Sequence, residues 1–244
     1  LDDTLARTLI LKERFSFAST TKLVDSLLKE GSGIKPEYLF YKGAASFVCR
    51  LQQMGFKVAI VTNSTTSKGK TNPLATQLLQ LVEKESGDKA SADIPVIDLN
   101  SVKPERVKVD PVWLEVRCGK PQLNMAKMAF DKLGVDIAQP VCAAMVGNSF
   151  SIDMIFAKNV DEMLKETGGA CLGVCLNYPE NSKLGTSPAS KTQALAEQGH
   201  DLTTATHFDE VIQAIKGFES QMCSDIALNL YEARASQLDS RLPS

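Results

Sequence analysis

Gly147, Asn148 and Asp153 are the residues of this chain whose types and spacing first suggest chemistry. They follow Ala143-Ala144-Met145-Val146, an apolar run that reads as a buried strand opening at its carboxyl end into a loop. Open α/β sheets place their ligands at that end of their strands. Gly147 lets the backbone turn sharply beside a bound group, and Asn148 and Asp153 offer hard oxygen ligands five residues apart, a set suited to Mg2+. A strand closed by Gly and a polar residue is common in α/β proteins, so the stretch alone decides little. Three other clusters accompany it: Leu1-Asp2-Asp3-Thr4-Leu5 at the start, Val58-Ala59-Ile60-Val61-Thr62-Asn63 after an apolar strand, and Gly119-Lys120-Pro121 before a helix.

In this order and at these separations the four clusters resemble motifs I to IV of the haloacid dehalogenase (HAD) superfamily, whose members are mostly Mg-dependent phosphatases. The resemblance covers about residues 1–176. It implies a doubly wound, Rossmann-like α/β fold, with a parallel sheet, helices on both faces and a small helical cap insertion. It also implies roles. Asp2 falls on the general acid/base position and Thr4 on the Thr of an Asp-x-Asp-x-Thr pattern, which places the nucleophilic Asp, and the strand that carries it, upstream of Leu1. The other register makes Asp2 the nucleophile and leaves the acid/base position without a carboxylate. Thr62 would offer its hydroxyl, and Asn63 its backbone N–H, to a phosphoryl oxygen. Lys120 would neutralise nucleophile and phosphate, and Mg2+ would sit among Asp2, Asn148 and Asp153. Asn148 departs from the commonest form, in which an Asp follows the Gly; it keeps an oxygen and loses a charge.

The elements between the motifs must bring them to one rim. Residues 6–42 have room for one or two helices, and Ser19-Thr20-Thr21 reads as the start of one through Leu28, ended by Gly31-Ser32-Gly33; the cap is expected at about 10–40. Lys42-Gly43 leads into a helix with Ala44, Phe47, Val48, Leu51 and Met54 on one side, then Gly55 and the strand Lys57–Val61. A helix over about Pro73–Glu85, a strand over Pro95–Leu99, a hairpin-like alternation through Val107-Lys108-Val109 and Trp113–Val116, and a helix over Asn124–Leu133 follow. Downstream, Ala170–Leu176 reads as a strand, Asn177–Gln198 as a polar loop, and Asp209–Lys216 and Ser220–Gln237 as two helical stretches. The core is expected over 1–216, and 217–244 as a helical extension that could reach a protein partner.

Composition limits the alternatives. With 27 basic and 29 acidic residues in 244, the net charge of -2 gives no field for nucleic acid or a membrane surface. Aromatics at 6% are too sparse for a base-stacking platform, and no apolar run reaches the roughly 20 residues of a membrane span. The six cysteines lack redox or zinc spacing and mostly lie in apolar segments, which reads as reduced, buried thiols in the cytoplasm or an organelle matrix. His200 and His207 stand alone, without ligand spacing. Within these limits, the resemblance implies a Mg-dependent phosphomonoester hydrolase working through an aspartyl-phosphate. The rival is a HAD-fold subunit that has lost catalysis and serves a structural or assembly role. A dinucleotide-binding Rossmann protein is disfavoured, because no Gly-x-Gly-x-x-Gly follows a strand.

Overall fold

The computed structural model describes residues 4–5, 35–63, 72–88, 93–103, 105–109, 112–116, 119–178 and 188–239. Asp2, most of the expected cap, residues 64–71 and Cys118 lie outside the described residues. Among those described, six helices and seven strands follow in the order α1 (Ala44–Gln53), β1 (Ile60–Val61), α2 (Pro73–Ser86), β2 (Val96–Ile97), β3 (Glu105–Val109), β4 (Val112–Val116), α3 (Asn124–Lys132), β5 (Cys142–Gly147), α4 (Ile155–Lys165), β6 (Ala170–Leu176), α5 (Pro188–Ala196), β7 (Leu202–Ala205) and α6 (Phe208–Asp239). The protein is thus a mixed α/β fold with parallel sheets: β1 pairs with β2, and β5, β6 and β7 pair in that order. β3 and β4 form a separate antiparallel hairpin, in line with the alternation at 107–116.

Side-chain alternation along the strands feeds two cores. Ile60 of β1 and Leu172, Val174 and Leu176 of β6, with Val96 and Val146 beside them, pack on α1, α2 and the first turns of α6. Their sequence neighbours Val61, Ile97, Ala143, Met145 and Cys171 turn the other way, onto Met125 and Ala129 of α3 and Phe156, Val160 and Leu164 of α4. Period-2 alternation between two apolar layers is what a sheet covered on both faces requires. The helices are locally well specified. Asn72 caps α2 by accepting from the N–H groups of Leu74 (3.1 Å) and Ala75 (3.2 Å), and Pro73 stands at the first helical position.

Four expectations are corrected. The strand at 143–146 is not buried: among the described residues it pairs on one side only, with β6, and Cys142 and Ala144 are exposed. The strand expected over Lys57–Val61 pairs only at Ile60 and Val61, because its partner β2 is two residues long between Pro95 and Asp98. The loop expected over 177–198 contains α5, which starts at Pro188 and buries Thr192 completely while packing Leu195 and Ala196 on Met154 and Cys175. A helix that covers its core with Thr and Ala leaves little apolar periodicity to read. The two C-terminal stretches are one helix, α6, which runs through Gly217 without a break. An interior Gly costs only about 1 kcal/mol relative to Ala, too little to stop a helix anchored by Val211, Ile212 and Ile215.

Cys49, Cys142, Cys171, Cys175 and Cys223 are unpaired among the described residues, and Cys142 and Cys223 are exposed where buried thiols were expected. Burial raises the thiols of Cys171 and Cys175, so these two act as small apolar packing groups. No helix among the described residues is long and apolar enough to cross a membrane.

Candidate functional site

β5 ends at Gly147, and after Asn148 and Ser149 the chain makes a wide π turn, Phe150–Met154, that leads into α4. The carbonyl of Ser149 accepts from the N–H groups of Asp153 (2.8 Å) and Met154 (3.1 Å). That turn folds Asp153 back over its own loop, where Oδ2 accepts from the N–H groups of Asn148 (3.2 Å) and Ser149 (3.1 Å). π turns of this kind concentrate at functional sites, where they re-aim a side chain. Gly147 is required by contact rather than by its backbone angles: a Cβ there would lie 2.2 Å from Asp153 Cβ and 2.3 Å from its Cγ. Gly147→Ala must therefore push Asp153 out of place, and we expect it to cost about 1–3 kcal/mol in a urea titration. An unchanged midpoint would mean that the carboxylate is not held against this glycine.

Asp153 Oδ1 accepts from the ammonium of Lys120, and the two side chains are only 7% and 6% exposed. Lys120 comes from the turn before α3, and its backbone is held from just past β1: Asn63 Oδ1 accepts from the Lys120 N–H (2.8 Å), while Asn63 Nδ2 donates to the Lys120 carbonyl (2.9 Å). Asn159 of α4 donates to the next carbonyl, that of Pro121 (2.9 Å). Thr62 is 2% exposed, and its N–H donates to Ile97 (2.9 Å), which places it at the end of the β1–β2 ladder.

The first cluster of the chain reaches the same rim. Thr4 is buried; its hydroxyl donates to Asn148 Oδ1 (3.2 Å), and its carbonyl accepts from the hydroxyl of Tyr178, just past β6 (2.8 Å). Tyr178 stacks on Tyr41 at 3.6 Å, whose N–H donates to the Leu5 carbonyl (2.9 Å). Of the expected site residues, the structure thus joins Asn63, Lys120, Asn148 and Asp153 through hydrogen bonds, with Thr62 next to Asn63 in the chain. Asp2 lies outside the described residues.

Each expected metal ligand that is described already holds a partner. Both oxygens of Asp153 accept from donors, and Asn148 Oδ1 accepts from Thr4. Among the described residues, no group of three or more His, Cys, Asp or Glu could hold an ion. By themselves these residues do not fit a divalent cation, which needs several unengaged oxygens. The negative charge of Asp153 is felt behind the loop as well. Burial, with Asp153 adding to it and a hydrogen bond with Thr192 opposing it, pushes the Cys175 thiol up.

Three contributions were missed from the sequence: the side chain of Asn63, the amide of Asn159, and Tyr178 as the anchor of Thr4. Asn159 and Tyr178 stand in no motif, and no periodicity marks them. Comparison with protein-family models, with curated proteins and with solved structures finds no match to this chain.

Proposed function

We propose that the chain is a phosphomonoester hydrolase of the HAD type, with β1–β2 and β5–β6–β7 as two parts of one doubly wound sheet. The second part rests on the shared cores: alternate residues of both sheets feed the same two apolar layers, with α1, α2 and α6 on one face and α3 and α4 on the other. One observation carries the function. Three sequence-distant clusters, at Asn63, Lys120 and Asn148–Asp153, meet through hydrogen bonds at strand ends, with a buried ammonium among them. A fixed, buried cation at such a rim is one part of what phosphoryl transfer asks of a protein, the other being donors to the equatorial oxygens. In this reading Lys120 carries the charge, while the Thr62 hydroxyl and the Asn63 N–H face the phosphoryl group. The Asp expected upstream of Leu1 attacks phosphorus and forms an aspartyl-phosphate, while Asp2 protonates the leaving oxygen and then takes a proton from the water that hydrolyses the intermediate. Mg2+ remains an expectation of the resemblance, and no step here is routed through it.

A second reading has a specific observation in its favour. Asn148 stands where a carboxylate is usual, and the oxygens of Asp153 are engaged, which suits a HAD-fold subunit that keeps the fold and has lost turnover.

Hydrolysis of p-nitrophenyl phosphate separates the two. We expect release of phosphate by a parent protein that carries the Asp expected upstream of Leu1, in a buffer with Mg2+, and its loss in Asp2→Asn at unchanged thermal stability. A parent no faster than buffer, and no different from Asp2→Asn, sinks the hydrolase and leaves the subunit. Repeating the assay in EDTA shows whether the ion takes part.

A further inference from the structure

From the contacts around Lys120, we infer that the Asn63 side chain is a positioning residue, one that sets the ammonium by clamping the peptide from which it springs. The inference rests on the reading of Lys120 as the phosphate-neutralising cation. Asn63 is expected to serve the site through its backbone N–H. Its side chain does something separate. With Oδ1 accepting from the Lys120 N–H at 2.8 Å and Nδ2 donating to the Lys120 carbonyl at 2.9 Å, the amide pairs with that residue as a neighbouring strand would.

Gly119 is matched to this clamp. A Cβ at 119 would stand 2.5 Å from Asn63 Oδ1 and 2.5 Å from Leu99 Cδ2, so the approach is closed to any other residue without movement. Asn159 holds the following carbonyl at 2.9 Å, on the opposite side of the turn in sequence. Lys120 is therefore fixed at three points: its N–H and carbonyl by Asn63, two residues past β1, the next carbonyl by Asn159 of α4, and its ammonium by Asp153. A long, flexible side chain gains aim only when its root is fixed, because four rotatable bonds multiply any freedom of the backbone. The amide is also specific. Asp at 63 would keep an acceptor for the Lys120 N–H and set a carboxylate against the Lys120 carbonyl. Ala would remove both bonds.

The test uses Asn63→Ala, Asn63→Asp and Asn159→Ala in the whole protein. Its first readout is independent of turnover: the rate at which an acetylating N-hydroxysuccinimide ester labels each lysine, read by mass spectrometry. In the parent, Lys120 should label slowly, since its side chain is 6% exposed and paired. In Asn63→Ala it should label about tenfold faster, as expected for a side chain whose protecting contacts are lost. Asn63→Asp and Asn159→Ala should fall between the two. Lys57, whose ammonium is bonded to the carbonyls of Leu133 and Gly134, serves as the control and should not change. The second readout is kcat on p-nitrophenyl phosphate, expected to fall on the order of 10²-fold in Asn63→Ala, with partial recovery in Asn63→Asp.

Lys120 labelling that is unchanged in Asn63→Ala overturns the proposal. So does labelling that rises equally at Lys120 and Lys57, which would make Asn63 a general stabiliser of the fold. A parent without turnover counts against the hydrolase alone, and the labelling still decides whether the clamp sets Lys120.

Discussion

Replacing Asp153 by Ala is expected to remove about 3–5 kcal/mol of folding stability, the cost of leaving one member of a buried ion pair without its partner. The Lys120 ammonium would be left at a site where its side chain is 6% exposed, and the N–H groups of Asn148 and Ser149 would lose their acceptor at the same time. Asp153→Asn should cost less than Asp153→Ala, because its amide oxygen still serves the two N–H groups even though the Lys120 ammonium loses its acceptor. The exposed pair Arg50–Asp209, with side chains 47% and 78% exposed, is the internal contrast. Breaking that pair should cost no more than about 1 kcal/mol. Urea titrations of Asp153→Ala, Asp153→Asn and Arg50→Ala give the comparison. If Asp153→Ala costs as little as the Arg50 variant, the pair is not the buried anchor of the loop.

On the proposed hydrolase reading, Lys120→Met is expected to carry the second large effect, on turnover instead of folding. Removing a fixed charge from a site where negative charge develops lowers kcat by about 10²–10³-fold when that charge acts in the transition state. The fold should suffer less than in Asp153→Ala, because Asp153 keeps two backbone donors after the ammonium has gone. The two variants thus form a crossed pair, one dominated by stability and the other by rate. Measuring kcat and KM for p-nitrophenyl phosphate alongside the urea midpoint tests both halves. A loss of less than tenfold in kcat, with Lys120→Met well folded, would remove Lys120 from the chemistry. A rise in KM at constant kcat would assign it to ground-state binding.

Most of the fold's vocabulary was legible in the chain. Helices α1, α2 and α3 and strand β6 lie within a residue or two of their expected bounds, because each carries a long apolar periodicity with a cap or glycine at its end. The elements misread are those whose burial comes from elsewhere. Strand β5 looks buried by composition, yet among the described residues it pairs on one side only, and Ala144 is exposed. Helix α5 looks like a loop, yet Thr192 is fully buried against the body.

The same division runs through the site. Residue types near Gly147, Lys120 and Asn63 were enough to single out those positions, because strand ends, glycines and a Gly-Lys-Pro turn are local signals. What each side chain does there came only from the tertiary structure. Lys120 pairs with a carboxylate 33 residues on, and its peptide is clamped by an amide 57 residues back. Local periodicity records which way a residue faces along its own element. It holds no record of which distant atom waits there, since that depends on how whole layers pack, and the hydrogen bonds that join Asn63, Lys120, Asp153 and Thr4 across this rim all link segments distant in sequence.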